Sequence, residues 1–65
     1  MCEANAYLIH ADGTETLLME SVDRVIPEAG GLRLINIFGD QKCLKAAIHS
    51  LSLVDHKVYI QSLDT

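Results

Sequence analysis

Turn signals punctuate this chain before any run of residues grows long enough for a dominant helix. Asp12-Gly13, Ala29-Gly30-Gly31, Gly39-Asp40 and Asp55-His56-Lys57 cut it into short apolar pieces. That rhythm belongs to a small sandwich or barrel. Residues 3–10 lead into Asp12-Gly13, a pair suited to a tight hairpin with positive φ. Residues 15–20 and 22–28 read as separate strands, with Pro27 near the end of the second, where a missing N–H costs least. Residues 32–38 are the most strand-like run, and Gly39-Asp40 closes a second hairpin behind them. Residues 41–55 carry two periods. Leu44, Ala47, Ile48 and Leu51 share a helical face, whereas Cys43, Lys45, Ala47 and His49 share a strand face. No cap or stop signal frames a helix there, so strand is the expected form. Residues 56–63 supply the last strand. The expected fold is all-β: a small barrel or sandwich of about six short antiparallel strands, SH3- or Sm-like, in one domain over residues 1–65.

These strands do not alternate cleanly between apolar and polar. Leu32, Leu34 and Phe38 take one face of their run, yet Ile35 and Ile37 make the other face apolar too. Phe38 is expected in the core, with Gly39 supplying positive φ at the turn. Residues 6–9, Ala-Tyr-Leu-Ile, are apolar on both sides. Strands of this kind need cover from two directions. A chain of 65 residues buries only about 60% of its unfolded surface, and 49% of these residues are apolar. A second copy is the expected cover, which makes the protein a homodimer.

The charge balance narrows the partners. Net charge is −4 and the pI is about 5.0, with Arg24, Arg33, Lys42, Lys45 and Lys57 spread thinly. Nucleic acid is not expected, because polyanion binding needs clustered cations. Tyr7, Phe38 and Tyr59 offer little stacking surface. No apolar run approaches the roughly 18 residues that cross a bilayer. The first residues, with Glu3 and Asn5, do not resemble a secretory signal, so a cytoplasmic location is expected. Stable disulfides are rare there. Cys43 accordingly reads as a small buried hydrophobe.

No catalytic set stands out. A Gly-rich phosphate loop, a CxxC and an HExxH are all missing, and an enzyme is not expected. His10, His49 and His56 lack ligand spacing and read as surface or turn residues. The terminus is more specific. If Met1 is removed, the α-amine and thiolate of Cys2 form a five-membered chelate, and both groups lie near deprotonation at neutral pH. If Met1 is retained, its amine joins the amide nitrogen and thiolate of Cys2. Both versions favour a square plane, and in the first a two-fold dimer completes it with two amines and two thiolates. Planar nitrogen-rich ligation suits Ni(II) or Cu(II). Ni(II) fits better, since Cu(II) oxidises thiolates. Glu3 is placed to tune the charge of such a site. A cysteine after the initiator is a weak signal alone. The competing readings are an RNA-binding β-barrel and a dimer in which Cys2 senses redox state.

The opening Met-Cys-Glu-Ala-Asn-Ala-Tyr-Leu and the block Asn-Ile-Phe-Gly-Asp-Gln-Lys (36–42) are the most diagnostic parts of a wider likeness. Residues 17–28 and 51–60 extend it, and the chain over 1–63 resembles the CooT family of small nickel-binding proteins. The resemblance implies a short, mostly β, homodimeric cytoplasmic protein. It further implies nickel delivery for carbon monoxide dehydrogenase, with that enzyme or other nickel accessory proteins as partners. The implied Ni(II) ligand is Cys2 alone.

Overall fold

The computed structural model describes residues 3–63. Among them are six strands: β1 (Ala4–Ile9), β2 (Glu15–Glu28), β3 (Gly31–Asn36), β4 (Gln41–Leu44), β5 (Ala46–Ser52) and β6 (Lys57–Ser62). They form one mixed sheet in the order β4-β3-β2-β1-β6-β5. The chain is all-β as expected, and residues 41–52 are strand as expected. Three other features of the expected architecture need correction.

First, residues 15–20 and 22–28 are one strand, not two. β2 bends at Ser21, which takes φ 55, and its ladders to β1 and β3 both shift register nearby. The bend leaves no backbone group wanting. Ser21 N–H donates to Asn5 Oδ1 at 3.2 Å, and its carbonyl accepts from Ile37 N–H at 2.9 Å. A strand can therefore pass through this corner without stopping. Its first half pairs with β1 and its second half with β3.

Second, the sheet is not purely antiparallel, because β1 and β6 pair in parallel from Asn5↔Lys57 to Ile9↔Gln61. The cause lies at Lys45. β4 and β5 are separated by that residue alone and run in the same sense, as their antiparallel pairing with β3 and β6 requires. The chain kinks at Lys45 without reversing. One reversal is thus missing from the series, and the strand that returns beside β1 must run parallel to it.

Third, the sheet is not closed into a barrel, nor is it a two-sheet sandwich. Its two edges are the halves of one kinked run. The sheet curls far enough for β3 to approach β5, and Leu63 N–H donates to the Lys45 carbonyl at 3.0 Å. The curl encloses Ala6, Val22, Leu32, Leu34, Ala46, Val58 and Ile60. Leu34 and Ile60, one from each half, are the largest fully buried side chains.

Two side chains expected inside are outside. Phe38 is 78% exposed. The loop after β3 is tied by Asn36, whose Oδ1 accepts from the N–H groups of Phe38 (3.0 Å) and Asp40 (2.9 Å). That tie turns the chain before residue 38 can continue the strand and its inward alternation. Gly39 does take positive φ, at 88°. Cys43 is a free, exposed thiol. It stands opposite Arg33, between the positions paired with the buried Leu32 and Leu34, so alternation turns it away from the core.

The first hairpin carries the clearest electrostatic effect. Thr14 donates its hydroxyl (2.7 Å) and its N–H (2.9 Å) to Asp12 Oδ1. These two bonds, aided by nearby His10, hold the Asp12 carboxyl below its ordinary 3.8. A lowered folded-state pKa stabilises the fold above pH 3.8, and the contribution is lost as pH falls through the lowered value. Carboxyl NMR titration is expected to place the Asp12 midpoint under 3.8, and Asp12→Asn should erase this part of the acid dependence. A midpoint at or above 3.8 would contradict the hairpin geometry.

Candidate metal centre

Met1 and Cys2, the ligands expected from sequence, lie outside the described residues. What the structure defines is the ground they lead from. A first strand usually frays when it lies at an edge. Here β1 is interior, with β2 on one side and β6 on the other. Ala4 already pairs with Val22, and Asn5 N–H donates to the His56 carbonyl at 2.9 Å. The chain is gripped from both sides within three residues of Cys2. Glu3, between them, is exposed.

A depression of about 350 Å³ opens at this point. Its apolar floor comes from Ala4, Val22, Val25 and Leu53, and Glu3, Asp23, His56 and Lys57 stand around it. His56 occupies the left-handed region at φ 55, and its N–H reaches the Leu53 carbonyl at 3.3 Å. The same loop leaves Leu53 78% and Val54 91% exposed. Apolar surface and hydrogen-bonding groups are therefore collected beside the start of β1.

The three histidines are exposed, as expected. Sequence spacing did not show that two of them share a hollow. His10 and His49 both line an open cavity of about 690 Å³ beside Gln61 and Ser62. Both reach it because β6 lies between β1 and β5, pairing with both. His49 stands at the register shift between Ile48 and Ser50. No local motif carries that information, since it depends on the parallel ladder. No group of three or more His, Cys, Asp or Glu side chains able to hold a metal occurs among the described residues. No helix among them is long and apolar enough to cross a membrane.

Comparison with known proteins agrees with this fold. The family model described as CO dehydrogenase accessory protein CooT matches residues 1–61. The crystal structure of a protein assigned as CooT from Carboxydothermus hydrogenoformans superimposes with a TM-score of 0.89 at 46% identity. The match covers 97% of this chain and all of the other. No curated protein matches significantly. An accessory role for CO dehydrogenase follows from the family, and the chain belongs to the CooT family.

Proposed function

We propose that this protein captures Ni(II) through the Cys2 thiolates of two chains at a dimer interface and delivers it for carbon monoxide dehydrogenase maturation. The observation that carries the reading is the position of Cys2: second in the chain, leading into a strand held on both edges. A terminal thiolate can share one metal with an amine or an amide nitrogen, and an interior strand gives that chelate a steady base. The exposed Leu53 and Val54 beside this strand supply apolar surface for a second copy to cover. Divalent charge drives off the thiol proton on binding. Release to a receiving enzyme is associative, because a chain-end site leaves room for an incoming thiolate or imidazole.

Titration of Ni(II) into the reduced protein is expected to produce thiolate-to-nickel charge-transfer absorption, saturating at one metal per dimer. Cys2→Ser should abolish those bands. Native mass spectrometry of the loaded protein should find two chains and one nickel, and the same mass reports whether Met1 is present. Charge-transfer bands surviving in Cys2→Ser would overturn the assignment. A nickel-loaded monomer would overturn the shared plane.

A further inference from the structure

We propose that Asn5 is the positioning residue of the terminal metal centre, clamping the base of the arm that carries Cys2. The inference rests on the Cys2 reading and adds a residue to it. Two unusual backbone conformations meet at the start of β1. Among the described residues, Ser21 and His56 are the only non-glycine residues with positive φ, both at 55°. They come from different parts of the chain, the corner of β2 and the loop between β5 and β6. Each bonds Asn5. Ser21 N–H donates to Asn5 Oδ1 at 3.2 Å, and Asn5 N–H donates to the His56 carbonyl at 2.9 Å.

The ladder explains why a side chain is needed. Ala4 pairs with Val22 and Ala6 with Met19, so Asn5 alone faces both Glu20 and Ser21. A bulge of that kind leaves a backbone group without its ladder partner. The Asn5 amide oxygen takes up the Ser21 N–H, while the Asn5 backbone continues the parallel ladder to β6. Left-handed backbone is uncommon outside glycine. It persists where the surroundings over-determine it, and such places cluster at functional sites. Here two such residues hold one asparagine from opposite sides of β1, three positions from Cys2. The base of the arm therefore cannot swing toward either neighbouring strand. A metal shared between two chains needs both thiolates to arrive at one point, and an arm fixed beforehand spares binding that ordering cost.

The test uses the full chain, with and without Ni(II), so that the clamp and the metal are read separately. Without metal, Asn5→Ala is expected to speed amide hydrogen exchange at Ser21 by about fivefold, with the β3–β4 ladder unchanged. With Ni(II), the same variant should bind about tenfold more weakly, and the shape of its thiolate charge-transfer spectrum should change. Asn5→Asp keeps an acceptor oxygen at the same reach and should restore both readouts. Ile60→Val removes a little core packing by another route and should leave nickel affinity and spectrum as in the parent. Cys2-dependent bands indifferent to Asn5→Ala would overturn the clamp and leave the Cys2 reading standing. Bands that survive Cys2→Ser would overturn that reading, and the role of Asn5 with it. Weakened binding that Asn5→Asp does not restore, or that Ile60→Val reproduces, also overturns the proposal. If Asn5→Ala loses its β-sheet circular dichroism, Asn5→Ser decides. Its hydroxyl is one bond too short to reach Ser21, and parent-like nickel binding in that variant overturns the clamp.

Discussion

Leu34→Ala is expected to lower the unfolding free energy by about 3–5 kcal/mol, the range for removing a fully buried leucine from a core that cannot collapse around the gap. Leu34 is completely inaccessible and comes from β3, which sits between β2 and the kinked edge. A domain of this length holds about 3–10 kcal/mol in total, so most of the chain should lose its cooperative fold. Urea unfolding followed by circular dichroism measures the effect. Ile60→Ala should behave alike, because Ile60 is the matching buried residue of the opposite half, contributed by β6. Leu17→Ala, at an exposed position on β2, should stay within about 0.5 kcal/mol of the parent and serves as the control. Losses under about 1 kcal/mol for both buried variants would mean that the two halves do not share one core.

The second large effect is expected at a neighbouring pair of glycines. Gly31→Ala drives its new Cβ into the backbone carbonyl of Leu44, at the point where β4 turns through Lys45 into β5. Neither side can yield cheaply, since one is a carbonyl in the ladder and the other opens β3. A cost above the usual 1–3 kcal/mol of overpacking is expected, with loss of the β3–β4 pairing. Gly30→Ala meets open space and suffers only from its φ of 79°, worth about 1–2 kcal/mol. Comparing the two by denaturant midpoint separates steric contact from backbone conformation. A smaller loss at Gly31 than at Gly30 would mean that the kink does not press against this hairpin.

Much of this fold could be read from short-range chemistry, since Asp12-Gly13 and Gly39-Asp40 mark real turns and the strand content follows the apolar runs. What escaped depends on distant partners. Ser21 looked like a break between strands, and it becomes a corner only because Asn5 and Ile37 satisfy its backbone. Lys45 gives no local sign that the chain turns without reversing, yet that one residue sets the β1–β6 pair parallel. Cys43 and Phe38 were apolar enough for the core. Register opposite Arg33 in one case, and the Asn36 tie in the other, put them outside. The candidate site divides in the same way. Cys2 is legible because its chemistry is local to the chain end. The hollow lined by His10 and His49 is not, because it exists only once β6 has come between their two strands.

The parallel ladder also fixes the order in which the molecule can be completed. β1 finds β2 as soon as the first hairpin forms, but its other edge stays unpaired until residues 57–62 have been synthesised. Contacts that join such distant parts of a chain place a domain among the slower folders, in milliseconds to seconds. During that interval the open edge of β1 is the surface most apt to recruit a strand from another chain. The strand that leads out of Cys2 is thus among the first parts made and the last to be completed.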